Sequence, residues 1–268
     1  MDRKINRKID RKIDGISAFQ LKLLALITMA LDHIGAVILE HSPYLTDFTR
    51  FASPGTSTVG KVDVLCRGIG RLAFPLFCFL LVEGFHYTKN RMKYAIRLLI
   101  FALVSEIPFD MAFNGKYLEW GYNNVGFTLL LGFLSIWILD MVEEKARRKY
   151  GDDRRIYAWF ACAIVLVLLM DYVLEKNLVR SDYGVAGVLA ILILYLMPGQ
   201  KMFGYLFCVL WLGLTCGMLE FVALINLIPL YFYHGRQGRK MKYLFYIFYP
   251  AHLLILAGIG HGLGWIQW

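Results

Sequence analysis

The chain has 268 residues, 58% of them hydrophobic, and a formal net charge of +9. A soluble domain of that length buries one core beneath a polar surface. Several separate apolar runs exclude that architecture, because about 20 helical residues rising ~1.5 Å each cross roughly 30 Å of hydrocarbon. Nucleic-acid binding is not expected either, since Lys and Arg concentrate between the apolar runs.

The N-terminus reads RKIN-RKID-RKID over residues 3–14, a four-residue repeat that sets Ile5, Ile9 and Ile13 in one stripe if helical. Such a segment is either a short helix on an anionic cytoplasmic membrane surface or a solvated tail. Residues 1–17 are thus expected to be a basic cytoplasmic segment and 18–268 one transmembrane domain. No cleavable signal peptide is expected, because the first apolar run is long and lacks a small-residue cleavage site. Nine spans follow in order, at about 21–41, 69–88, 93–113, 123–142, 156–174, 182–198, 202–217, 219–233 and 243–262. The seventh and eighth are short and nearly continuous, so a re-entrant pair and eight spans is the alternative. Basic loops at 89–97, 143–155 and 234–242 place the N-terminus inside. The segment 42–68, with Arg50, Lys61 and Arg67, reads as an outer loop and an exception to that bias. The expected architecture is an all-α polytopic membrane bundle. Its five cysteines lie in or beside apolar segments without CxxC spacing, which argues for packing rather than a disulfide framework or zinc.

Ionisable residues within apolar runs are costly in lipid, so each is a candidate for function. The first span carries Asp32 and His33. Lys22 precedes His33 by eleven positions, three turns plus about 20°, so the two share a face roughly 16 Å apart. Glu40 follows seven residues later on the same face. The second span has Arg67 and Arg71 at its outer end and Glu83 and His86 at its inner end. Glu83-x-x-His86 is half of a di-iron pattern without a second copy, so no metal is expected. In the third span Glu106 and Asp110 share a face near the outside and have Arg71 as a possible packing partner. The last span contains His252 in FYPAHLL, at the depth of His33. Each histidine also has an ordinary reading as a hydrogen-bonded packing residue.

The stretches LKLLALITMALDHIGAV (21–37), GRLAFPLFCFLLVEGFHYTKN (70–90), RLLIFALVSEIPFDMAF (97–113), DYGVAGVL (182–189) and KYLFYIFYPAHLLIL (242–256) resemble the TraX family. That family takes its name from a conjugative-plasmid protein that acetylates the pilin N-terminus. It is similar, distantly, to acyltransferase-3 enzymes and to heparan-glucosaminide acetyltransferase. The resemblance implies an acetyl-CoA-dependent membrane acyltransferase. In acyltransferase-3 proteins ten residues separate a basic residue from an essential histidine in the first span. Lys22 and His33 match that spacing, with Lys where Arg is commoner. Lys93 and Arg97 stand, with altered spacing, where those proteins carry a basic pair at the start of the third span.

Resemblance and residue positions together give one model. Arg91, Lys93, Arg97, Arg236, Arg239 and Lys242 would hold the phosphates of acetyl-CoA, with Lys22 near the pyrophosphate. The pantetheine arm would carry the thioester to His33, a general base or nucleophile, with His252 as a second proton-handling group. Asp32 points about 100° away from His33 around the helix and is expected to engage a neighbouring helix. Glu40, Glu106 and Asp110 would attract a cationic amine, of a peptide or small molecule, with Arg71 and Glu83 beside the acceptor. An O-acetyltransferase acting on a glycan or lipid, a small-molecule transporter and a b-haem protein ligated by His33 and His252 stay open.

Overall fold

The computed structural model describes residues 15–45, 58–151, 153–239 and 242–268. The RKIN repeat and Arg50 lie outside the described residues. Every regular element among the described residues is helical. Two isolated bridges, Ile16 with Tyr233 and Asn123 with Ser181, join loops to helix ends.

Helix α1 (Ala18–His33) starts at a capping box. The Ser17 hydroxyl accepts from Gln20 N and the Gln20 side chain accepts from Ser17 N, satisfying two free amides. It continues as a π-helical turn, Ile34–Leu39, that begins directly after His33. Helices α2 (Thr58–Gly70) and α3 (Ala73–Tyr87) follow nearly end to end. Asn90 caps α4 (Arg91–Phe113), and Asn124 caps α5 (Val125–Tyr150), each through its side-chain oxygen. Helix α6 (Arg155–Leu174) ends in a second π turn, Glu175–Val179. Helices α7 (Gly184–Leu196) and α8 (Lys201–Thr215) come next. A 3-10 helix, Met218–Asn226, leads into the single turn α9 (Leu227–Tyr231), and α10 (Lys242–Gly262) ends the bundle.

Five helical stretches are long and apolar enough to cross a membrane: Ala18–Leu39, Thr58–Tyr87, Val125–Tyr150, Arg155–Val179 and Tyr243–Gly262. The chain is a membrane protein of helical-bundle type. Helix α4 coincides with the expected third span but falls outside these five, because Arg97, Glu106 and Asp110 interrupt its apolar length. Three further apolar helices are shorter: Gly184–Leu196, Lys201–Thr215 and Met218–Tyr231.

Two expectations need correction. Residues 58–68 are not loop but the first turns of α2, which puts Lys61 and Arg67 on a helix. Charges and glycines mask the pattern there, and the helix carries a fully buried Asp63. The segment 219–233 is not a regular α-helical span. Gly217, at φ 129°, reverses the chain so that the 3-10 helix packs back along α8, with Phe221 against Gly213.

Packing forms two apolar clusters. One is built around α3, α5, α7 and α8. The other gathers α1, α4 and α10 through residues such as Met29, Phe109 and Leu253. Phe77 and Val125 pack against both, at the seam where the polar site lies.

Candidate active site

The site begins with a contact that only glycine permits. A β-carbon at Gly70 would stand 2.2 Å from Cβ of Asp32, so α1 and α2 approach at that level only because the side chain is missing. The approach delivers Asp32 to two guanidiniums, 2.8 Å from Arg67 and 2.6 Å from Arg71. Arg67 also reaches Glu40 at 3.3 Å, and Arg71 reaches Glu220 at 3.1 Å. Tyr183 joins through its hydroxyl, 3.3 Å from both Arg71 and Glu220, and its ring stacks on Phe74 at 3.6 Å. Burying such charges is tolerable because each meets an opposite charge and further hydrogen bonds.

On the other side of His33, its Nδ1 lies 2.6 Å from Nε2 of His252. Nδ1 of His252 lies 2.7 Å from the carbonyl oxygen of Phe248, which can only accept. His252 therefore carries its proton on Nδ1, and its Nε2 is an acceptor when the ring is neutral. His33 must then donate from Nδ1, which leaves the lone pair on its Nε2. His33 lines a chamber of about 260 Å³ that also exposes Asp32, Glu40, Arg67, Arg71 and Asp182. The rings of Phe113 and Tyr249 stand edge-on to His33 at 5.5 and 5.8 Å and restrict its orientation. In this arrangement no metal fits between the histidines. Two imidazole–metal bonds of about 2 Å each would separate the nitrogens by about 3.3 Å at a tetrahedral angle and about 4 Å in line.

A second space of about 170 Å³ extends from Lys22 through Leu80, Tyr94, Phe101 and Tyr246. It continues the chamber along the same helices. Lys22 and His33 lie on α1, Leu81 and Phe74 on α3, Phe101 and Phe109 on α4, Leu129 and Val125 on α5, and Tyr246 and Tyr249 on α10. A third cavity, of about 450 Å³, lies beyond Arg67 and Arg71 and is walled by Val64, Cys216, Met218 and Glu220.

The sequence matches the TraX protein family over residues 17–260. The chain belongs to the TraX family. This TraX-family chain is also 30% identical to the probable fimbrial assembly protein FimC, serogroup H1, of Dichelobacter nodosus, over 90% of this chain and 94% of that relative. No solved structure matches it.

In the TraX-family chain, His33, Asp32, Glu40 and Arg71 line one chamber, and His252 bonds to His33 behind it. Asp32 engages a neighbouring helix, as its direction on α1 implied. Lys22 sits in the adjoining slot, its ammonium 5.4 Å from the Phe245 ring. Arg97 lies 5.4 Å from the ring of Tyr94, which lines that slot. Lys93 is exposed at the start of α4. Arg236 and Arg239 are exposed on a loop whose Arg236 carbonyl accepts from Ala18 N at 2.7 Å, which ties it to the Lys22 end of α1. Lys242 opens α10, and its side chain lies outside the described residues.

Three expected residues are not brought to the chamber wall. Glu106 accepts from the backbone and side-chain amides of Asn124. Asp110 accepts from Glu119 N at 2.6 Å and from the Asn114 side chain at 2.8 Å. Both hold the segment 114–124, which carries Tyr122 to the chamber, where its hydroxyl donates to Asp182. Neither pairs with Arg71, whose carboxylates are Asp32 and Glu220. Glu83, twelve residues along the chain from Arg71 and about 18 Å away if helical throughout, accepts from the Tyr233 hydroxyl at 2.9 Å.

Tyr122, Asp182, Tyr183, Glu220 and Tyr249 were not among the expected site residues. Glu220 carried a usable signal, a carboxylate inside the apolar run GMLEFVALIN. The aromatic residues carried none, because the chain has 16 tyrosines and nothing in their local pattern sets these apart.

Proposed function

We propose that the chain is a membrane acetyltransferase that moves an acetyl group from cytoplasmic acetyl-CoA to an amine near the outer face. The acceptor in this reading is the N-terminus of a peptide, with a pilin-like protein as the first choice. The observation that carries it is the hydrogen-bonded His33–His252 pair, which leaves a basic nitrogen on His33 beside a charged chamber. The association of the TraX family with pilin acetylation and the fimbrial-assembly name of the relative support the same reading.

In the proposed reaction the pantetheine arm lies in the slot, with Lys22, Arg97 and the exposed Arg236 and Arg239 serving the donor's phosphates. Lys93 and Lys242 add positive charge at the same end. The acceptor arrives as an ammonium, drawn by three chamber carboxylates, Asp32, Glu40 and Asp182, set against two guanidiniums. After it passes one proton to a chamber carboxylate, its nitrogen attacks the thioester carbonyl. The C–N bond forms, and His33 Nε2 takes the second proton as the tetrahedral intermediate develops. The imidazolium keeps its Nδ1–H on His252, which holds the ring in place. Arg67 and Arg71 supply positive field for the oxyanion. The C–S bond then breaks, and the proton on His33 passes to the leaving sulfur, so that amide and free thiol are the products.

This reading uses nine membrane passages in the inner membrane, with α4 and the three shorter apolar helices completing the five long stretches, and a cytoplasmic N-terminus. The loops at 89–97, 143–155 and 234–242 support that orientation. The test is mass spectrometry of membrane-protein N-termini from cells with and without the gene, joined to CoA release by the purified protein. An acetylated N-terminus that disappears with the gene supports the proposal. Unchanged termini together with no CoA release from acetyl-CoA overturn it.

A further inference from the structure

The slot that starts at Lys22 and the chamber that holds His33 meet at one side chain. Among the described residues, Phe77 alone lines both spaces. Its place on α3 explains this. Ala73, Phe74 and Phe77 face the chamber, while Phe77, Leu80 and Leu81 face the slot, an unbroken stripe at helical spacing. Phe77 is half-buried, unlike Leu76 and Cys78 beside it, which are fully buried in the core. Across the junction the rings of Phe101, on the slot side, and Tyr249, on the chamber side, meet at 5.3 Å. A thin chain running from Lys22 towards His33, about 16 Å along α1, therefore passes Phe77 before anything attached to its tip reaches the imidazole.

We propose that Phe77 is the gate between donor slot and reaction chamber, and that its ring limits the size of the acyl group delivered to His33. The inference rests on the acyl-transfer reading above and adds a determinant of acyl-chain length to it. A two-carbon acyl group passes, and each added methylene meets the aromatic ring. The same ring keeps chamber water from the thioester while no acceptor is bound. With the ring removed, water attacks the carbonyl carbon, a C–O bond replaces the C–S bond, and carboxylate and free thiol are released.

The test uses full-length protein in lipid nanodiscs, with acetyl-CoA or butyryl-CoA as donor and a tryptic digest of membrane proteins as the amine pool. Thiol release and the acyl mass added to peptides are both followed. Phe77→Ala is expected to raise the butyryl-to-acetyl ratio at least about tenfold, the scale at which a pocket discriminates one or two methylenes. It is also expected to raise thiol release in the absence of peptides. Phe77→Leu and Phe77→Trp keep an apolar side chain at the seam, and the ratio should order Leu above Phe above Trp. That order sustains the gate even where Phe77→Ala fails to fold. A wild type that transfers acetyl, with a ratio indifferent to all three substitutions, overturns the gate and leaves the acyltransferase reading standing. A wild type that consumes neither donor under these conditions overturns both.

Discussion

Nδ1 of His33 and Nε2 of His252 lie 2.6 Å apart, joining helices whose histidines are separated by 219 positions in the chain. The direction of this bond follows from a third atom, the Phe248 carbonyl oxygen, which obliges His252 to keep its proton on Nδ1. His33 is therefore the base in the proposed reaction, and His252 orients it.

That division of labour separates two kinds of variant. His33→Ala should lower acetyl transfer by about 10² to 10⁴, the usual scale of general-base loss, while the protein still inserts and purifies. His252→Gln keeps an acceptor oxygen for His33 and should retain more activity than His252→Leu. The leucine leaves a buried N–H without a partner, which costs roughly 1–3 kcal/mol and one to two orders of magnitude in rate. Steady-state rates of both series check the assignment. Equal losses for Gln and Leu would remove the orienting role.

Arg71 bonds Asp32 at 2.6 Å and Glu220 at 3.1 Å, and these three residues are largely buried. Arg71→Ala leaves Asp32 with Arg67 but takes the cation from Glu220, and breaking a buried pair costs about 3–5 kcal/mol. Thermal unfolding in detergent should show a large loss for Arg71→Ala and partial recovery in Arg71→Ala/Glu220→Gln. Without such recovery, Glu220 is not the charge that Arg71 compensates.

Lys22 should act on donor affinity. Lys22→Ala and Arg97→Ala are expected to raise the KM for acetyl-CoA, since a charge-assisted contact is worth roughly 1.5–3 kcal/mol, and to change kcat little. Lys22→Arg should preserve most of the affinity. A fall in kcat at constant KM would move both residues out of phosphate binding.

Asp110 anchors the 114–124 segment through Glu119 N and Asn114. Asp110→Ala leaves that amide unpaired, so the structure predicts a loss of about 1–3 kcal/mol in stability and faster proteolysis of the segment. If turnover collapses while stability and proteolysis stay at wild-type levels, Asp110 belongs to the chemistry instead.

Sidedness is measured by thiol labelling in a protein lacking its five native cysteines. Lys116, Arg148 and Gln237 are all exposed, so a cysteine at each is open to reagent. Lys116→Cys should react with an impermeant reagent on intact cells, and Arg148→Cys and Gln237→Cys should not. The reverse pattern would put the Lys22 end of the slot out of reach of cytoplasmic acetyl-CoA.

Much of the membrane helical character was legible in the sequence, because apolar length and intervening basic loops follow from the cost of exposing polar backbone and charge to lipid. The exact helix starts, capped at Ser17 with Gln20 and at Asn90 and Asn124, were not read from apolar length. His33 stood out for the same reason, an ionisable group where lipid makes one costly. Helical arithmetic set Lys22 on its side and turned Asp32 towards another helix.

What the sequence did not carry was partnership. Arg71 had carboxylates available at Glu106 and Asp110, yet the missing side chain of Gly70 let Asp32 approach, and the chain reversal at Gly217 brought in Glu220. Glu106 and Asp110 were left to amides of their own loop. Periodicity fixes which face of a helix a residue occupies. Which helix meets that face, and at what depth, depends on close packing between segments far apart in the chain, and only the tertiary structure decides it.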